Sequence, residues 1–108
     1  MATTFTFYQG NTRPFFAVQI RNNRTNGVVD LTGATVVFYF RHADGRAAKV
    51  SGATATVTDA VNGKVEYRWA AGDLDVPGIY DAEFRVTHTD AKVQTVRISG
   101  VKVIAKLG

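Results

Sequence analysis

Two stretches in the middle of the chain alternate between apolar and polar residues. In residues 63–69, the side chains of Val65, Tyr67 and Trp69 fall on one side of a ribbon with a two-residue period. Residues 78–86 repeat the pattern, with an apolar side made of Tyr80, Ala82, Phe84 and Val86. The alternation predicts two amphipathic strands. Their large rings bury much surface, so we expect both strands at the centre of the core.

Shorter runs of the same kind lie on both sides of this centre. Residues 15–21 predict a strand that points Phe16, Val18 and Ile20 inward, and residues 34–41 form the most apolar strand. In residues 53–58, small residues alternate with threonine, which predicts a weak strand near a sheet edge. Tight turns are predicted at three pairs: Asn26-Gly27, Asp44-Gly45 and Asn62-Gly63.

No apolar pattern of helical period appears, and the spacing of strands and turns is typical of a sandwich or a barrel. Tyr80 follows Gly78 at the start of a strand and precedes Ala82 by two residues. This is the position of the tyrosine corner in immunoglobulin-like domains, although alanine stands where their second cysteine would be. We therefore predict an all-β fold, an immunoglobulin-like β-sandwich of about 7–9 antiparallel strands, as a single domain over residues 1–108.

The composition of the 108-residue chain is that of a globular domain, with 45% hydrophobic and 20% charged residues. Cysteine is absent, which excludes disulfides and thiolate ligands and fits a reducing cytoplasm. The net charge of +4 raises the question of nucleic acid, but dispersed basic residues favour a solvated surface instead. We expect no signal peptide, because the first residues do not contain a basic region followed by an apolar one. We expect no membrane partner, because no apolar run is long enough to cross a bilayer.

Residues that could support catalysis or bind a metal are sparse. His42 and His88 each stand alone beside a turn, without a second ligand at metal-binding spacing. Asp73 and Asp75, together with Asp59 or Asp30, could bind calcium through loop oxygens. Asp73 and Asp75 could also act as paired carboxylates, but roles in turns and solubility explain them more simply. Neither a nucleophile elbow nor a glycine-rich phosphate loop occurs. We predict a protein that is not an enzyme, with no catalytic residue, cofactor or metal.

Glu66 and Glu83 lie on the polar faces of the two central strands, which we take to be adjacent. They could also be interpreted as paired acid-base carboxylates. Salt pairs with Arg68 and Arg85 on the same strands explain both glutamates more simply.

Three aromatic residues, Tyr8, Phe15 and Tyr39, fall outside the faces that we expect to point inward. Such rings can stack on a sugar or anchor a protein partner, and packing in a second apolar layer explains them equally well. Arg21 and Arg24 belong to a polar loop that could join such a contact. Partner binding is therefore predicted for these five residues.

Four segments of the chain carry a family resemblance in their order and spacing: residues 9–14 (QGNTRP), 30–36 (DLTGATV), 63–69 (GKVEYRW) and 73–84. Together they resemble the immunoglobulin-like domain at the N-terminus of phage upper baseplate proteins. The resemblance implies a β-sandwich that acts as an assembly module in a tailed-phage virion. It also implies docking on other virion structural proteins around a symmetry axis, and hence a homo-oligomer within that assembly.

The leading hypothesis is thus a structural virion protein, an adaptor of the tail, baseplate or neck, assembled in the host cytoplasm. The chain ends soon after its last predicted strand, which leaves a capsid decoration protein on the phage head as an alternative. A carbohydrate-binding module that attaches to a cell-surface glycan is a second alternative, and a nucleic-acid-binding domain is disfavoured.

Overall fold

The computed structural model describes residues 5–22, 24–45 and 48–107, and all of their regular elements are strands. Seven strands occur in these residues: β1 (Thr6–Tyr8), β2 (Phe16–Gln19), β3 (Thr35–His42), β4 (Ala48–Asp59), β5 (Lys64–Tyr67), β6 (Gly78–Thr87) and β7 (Val93–Ile104). The all-β prediction is confirmed. Within the described residues, no helix is long and apolar enough to span a membrane.

The strands form one curled sheet in the order β1-β7-β6-β3-β4-β5-β2. The pairs between neighbours are antiparallel except at one edge, where β1 runs parallel to β7 with Tyr8 opposite Ile104. The prediction of antiparallel strands is therefore wrong for β1. Alternation shows which side of a strand is apolar. The pattern is the same whether the neighbouring strand is parallel or antiparallel.

The two central strands of the sequence pattern are β5 and β6. Each apolar position predicted to point inward is buried, with at most 6% of its surface exposed. The strands are not adjacent, however, because β3 and β4 lie between them in the sheet. The long loop after β5 carries the chain across instead of closing a hairpin, so Glu66 and Glu83 lie on different parts of the sheet.

β4 joins the two halves of the sheet. Its first half pairs with β3 as far as Ala55, and from Thr56 it pairs with β5. Gly52, at a φ of 73°, has no partner of its own between Ala53 and Ser51, which forms a bulge. In the strand order β4 as a whole lies between β3 and β5, so it is not an edge strand. Residues 53–55 nevertheless pair only with β3, and the paired residues from Thr56 onward pair only with β5, so each half has a neighbour on one side, which is the edge-like position that the sequence pattern predicts.

Aromatic rings fill the space inside the curl. Phe16 on β2 lies 4.6 Å from the Phe5 ring and 5.4 Å from the Phe7 ring of the opposite edge. It also contacts the rings of Trp69 and Phe84 at 5.9 and 5.7 Å. The two edges of the sheet therefore meet through side chains in the core.

The loop between β5 and β6 is organised by one carboxylate. Asp73 accepts a hydrogen bond from the Tyr67 hydroxyl at 2.7 Å and one from the Ala70 amide at 2.8 Å. Burial, together with this hydrogen bond and the negative charge of Asp73, raises the pKa of Tyr67. On the same loop, Asp75 forms an ion pair with Lys49 at 2.6 Å. Asp73 thus has the local partners that the turn interpretation of the sequence predicts, whereas Asp75 pairs with a residue of a distant strand.

Tyr80 is fully buried and its hydroxyl donates a 2.6 Å hydrogen bond to the carbonyl oxygen of Val76, four residues upstream. This is the bond expected of a tyrosine corner. Tyr80→Phe should lower the free energy of unfolding by about 1–1.5 kcal/mol, because it leaves the carbonyl without this donor. Urea denaturation of both proteins measures the difference. Equal stability of the two would show that water replaces the lost bond.

The seven strands agree with the predicted number of about 7–9. The hydrogen-bonded order runs without interruption through β4, so the sheet curls into a half-barrel. Its division into the two packed sheets of an immunoglobulin-like sandwich stays a prediction.

Candidate interaction surface

Strand register brings a set of polar side chains together on the outer face of β3, β6 and β7. Tyr39 lies opposite Glu83, Arg41 opposite Asp81, and Glu83 opposite Arg97 on the far side. They line an open groove of about 270 Å³, whose polar and charged members include Tyr39, Arg41, Asp81, Glu83, Arg85 and Arg97. We call this the Tyr39 groove.

Arg85 holds the Tyr39 ring in place. Its guanidinium carbon lies 4.2 Å from the ring centroid, and Nη1 donates a 3.2 Å hydrogen bond to the hydroxyl. Arg85 Nε also donates to Glu83 at 2.7 Å, and Arg97 donates to the other oxygen of the same carboxylate at 3.1 Å. The ring is therefore one end of a connected network that spans three strands.

Glu83 is the centre of this network, with only 12% of its side chain exposed. Burial acts to raise the pKa of Glu83, but the hydrogen bonds from Arg97 and Arg85 outweigh it and hold the pKa below its ordinary value of 4.5. The ionised form is thus the one that stabilises the folded state.

Because the pKa of Glu83 is lower in the folded state, its contribution to stability is present above pH 4.5 and is lost as the pH falls through the folded value. Glu83→Gln should therefore show a shallower acid-induced loss of stability than the wild type. Arg97→Gln should show part of the same effect. Urea midpoints measured from neutral to acidic pH test this, and parallel curves for all three proteins would contradict it.

The groove can offer hydrogen-bond donors to a partner. It holds three guanidinium groups against two carboxylates, and Glu83 already accepts from two of the arginines. Each guanidinium carries five N–H donors, so donors remain for acceptor groups of a partner. Arginine and tyrosine are also the residue types enriched in protein interfaces. The groove is suited to a polar protein contact.

Phe15 lies elsewhere, on the outer side of the β2 and β5 half of the sheet. The ring is half-buried, with the guanidinium groups of Arg13 and Arg68 at 5.7 and 5.6 Å from its centroid. Arg68 also forms an ion pair with Glu66 at 2.8 Å, as the sequence predicts. Phe15 is thus a cationic and aromatic spot that is separate from the Tyr39 groove.

The predicted loop residues form a third location. Arg21 donates hydrogen bonds to the Asn26 carbonyl oxygen at 2.8 Å and to Gln19 Oε1 at 2.7 Å, and these bonds stabilise the turn. Asn26 has a positive φ of 59°, as the predicted reversal requires. Arg24 is exposed, and its amide is held by the Asn22 side chain at 2.8 Å. Within the described loop, Arg24 is the arginine better placed for a partner.

Tyr8 is a fourth location, half exposed on the edge strand β1. It shares the outer face of the sheet with Tyr39, but β7 and β6 lie between their strands. The five residues predicted for partner binding therefore do not form one patch. Sequence reasoning missed Arg41, Asp81 and Arg97, because only the register of three strands groups them around Tyr39.

Comparison of the chain with known proteins identifies its family. No curated protein matches the chain. The family model of the BppU N-terminal domain matches residues 2–102, which is nearly the whole chain and includes all the segments that carried the resemblance. The chain therefore belongs to the BppU N-terminal domain family, the N-terminal domain of the phage baseplate upper protein.

Proposed function

We propose that this chain is a non-enzymatic structural protein of a tailed-phage virion, an immunoglobulin-like adaptor that docks on other tail, baseplate or neck subunits. The observation that carries the proposal is the family match over residues 2–102. In this proposal the chain is assembled into the particle in the host cytoplasm and repeats around a symmetry axis as a homo-oligomer.

The Tyr39 groove supports a docking role. Four of its residues, Tyr39, Glu83, Arg85 and Arg97, are held in position by hydrogen bonds across three strands before any partner arrives, so these side chains lose little freedom on binding. A rigid tyrosine beside several arginines is typical of residues that dominate interface energetics. We therefore assign the groove as a contact with a neighbouring subunit.

The contacts of the acidic side chains support a role without catalysis. Glu83 is bound by two arginines, Asp73 by Tyr67 and a backbone amide, and Asp75 by Lys49. These carboxylates act in the structure of strands and loops, which is the simplest account of their presence.

Tyr39→Ala should leave the fold intact and reduce incorporation into particles by about tenfold or more, as expected for a central interface tyrosine. Alanine is chosen because a new acid would lie opposite Glu83 and could unfold the sheet by repulsion. Incorporation is measured by quantitative mass spectrometry of purified particles, with Val93→Ala, exposed on the far end of β7, as the matched control. Normal incorporation of Tyr39→Ala would remove the groove from the interface.

The copy number of the wild-type chain tests the adaptor role itself. Roughly six to a few tens of copies in the tail fraction would agree with a symmetric ring. Hundreds of copies in the capsid fraction would favour the decoration protein instead, and absence from particles would overturn the virion role.

Carbohydrate binding has less support. A sugar ring stacks on the open face of an aromatic side chain, and the Arg85 guanidinium already lies 4.2 Å over the Tyr39 ring. Tyr8 is the freer ring, so loss of glycan-array binding in Tyr8→Ala, with binding retained in Tyr39→Ala, is the result that would favour this alternative.

A further inference from the structure

Exposed apolar side chains gather at one end of the sheet. Tyr8 on β1 pairs with Ile104 on β7, and they are 50% and 40% exposed. Ile79 on β6, 46% exposed, pairs with Lys102 and so lies diagonal to Ile104 on the same face. Leu107 is fully exposed and, with Tyr8, lines a shallow depression beside β1. These four apolar residues, Tyr8, Ile79, Ile104 and Leu107, form what we call the β1 patch.

This grouping differs from scattered surface hydrophobics. The strand neighbours bring three of the side chains together, because Tyr8 lies opposite Ile104 and Ile79 lies diagonal to Ile104 on the next strand. Among the described residues, the other large exposed hydrophobics are Val28, Val61 and Val93, which lie on loops or at the far end of β7. A cluster of exposed apolar side chains beside a sheet edge is typical of an interaction site.

The charges at the border of the patch are positive. Lys102 lies opposite both Ile79 and Thr6, two residues before Ile104 on the same strand, and Lys106 lines the depression with Tyr8. The nearby acids are already placed next to cations, since Asp75 forms an ion pair with Lys49, and Asp81 lies opposite Arg41. The two lysines therefore make the electrostatic potential at the border of the patch positive for an approaching surface.

We propose that the β1 patch binds a segment of another virion protein in which apolar side chains are flanked by carboxylates. The proposal rests on the virion role proposed above and names the chemistry of the partner. A second copy of the chain in a two-fold arrangement would bring the lysines of both copies together, which opposes self-association through this surface. An acidic segment instead pairs with Lys102 and Lys106 while its apolar residues cover Tyr8 and Ile104.

Site-specific photo-cross-linking in assembled particles tests the proposal. A benzophenone amino acid replaces Ile104 in the full chain, the particles are assembled in infected cells and irradiated, and mass spectrometry identifies the joined peptide. The expected product joins position 104 to another virion protein, at a segment with aspartate or glutamate beside apolar residues. The same amino acid in place of Val93, which is more exposed than Ile104 but lies outside the patch, should not give this product.

A second experiment tests the contribution of the two lysine charges. Lys102→Glu combined with Lys106→Glu should lower the cross-link yield about tenfold, because the attraction of two exposed charges becomes repulsion. A cross-link to a second copy, to a segment without carboxylates, or no cross-link from incorporated protein would overturn the proposal and leave the virion role standing. Absence of the wild-type chain from particles would instead overturn the virion role.

Discussion

Phe16→Ala should lower the free energy of unfolding by about 3–5 kcal/mol, whereas Phe15→Ala, one residue earlier, should cost only about 1 kcal/mol. Phe16 is fully buried and touches rings from both edges of the curled sheet, including Phe5 at 4.6 Å and Trp69 at 5.9 Å. Truncation leaves a cavity at the point where the edges meet. Phe15 points outward and contacts the guanidinium of Arg13 at 5.7 Å and that of Arg68 at 5.6 Å.

Urea denaturation followed by the fluorescence of Trp69, the single tryptophan, measures both variants. The slope against urea should stay similar, so that the shift in midpoint reports stability. Similar losses for Phe15→Ala and Phe16→Ala would contradict the assignment of Phe15 to the outer side and Phe16 to the inner side of the sheet. Phe15→Ala would also test this ring as a partner contact, if its particle incorporation falls without loss of stability.

Gly63→Ala should destabilise the fold by about 3–4 kcal/mol. Gly63 has a φ of 68°, and a Cβ there would lie 2.7 Å from the Val29 carbonyl oxygen and 2.9 Å from that of Ile20. Both atoms belong to backbone that is itself hydrogen-bonded, with Ile20 donating to Gly63 at 2.7 Å and accepting from Val29 at 3.0 Å. The substitution therefore adds a steric clash to the strain of the left-handed conformation.

Gly72→Ala is the matched control, since Gly72 has a φ of 88° but no atom within 4 Å of a Cβ. It should cost only about 1 kcal/mol, the strain alone. Thermal and urea unfolding of both variants separate the two contributions. Equal losses would mean that the loops around Gly63 move apart at little cost, contrary to the packing described.

The prediction of local structure from sequence succeeds where covalent geometry decides. Successive side chains of a strand point to opposite sides whatever the strand pairs with, so the buried faces of β5 and β6 follow from alternation. The Asn26-Gly27 and Asn62-Gly63 turns follow from residues that tolerate positive φ. The family resemblance, drawn from ordered segments, was also sufficient to identify the family that the comparison confirms.

Strand neighbours are a different matter. Alternation contains no information on direction or partner, so it predicts neither the parallel pairing of β1 nor the change of partner within β4. The candidate surfaces depend on those neighbours. Arg97 joins Tyr39 only through the register of β7 on β6, and Ile104 joins Tyr8 only through the pairing of β7 with β1.

One signal in the sequence did mark the β1 patch. Ile79 is an apolar residue on the otherwise polar side of residues 78–86, and it is exposed as that position requires. The sequence by itself thus determined which side of each central strand is buried, because side-chain direction is a local property of the backbone. The tertiary structure alone decided which outward residues share a surface, because that depends on the packing of faces far apart in the chain.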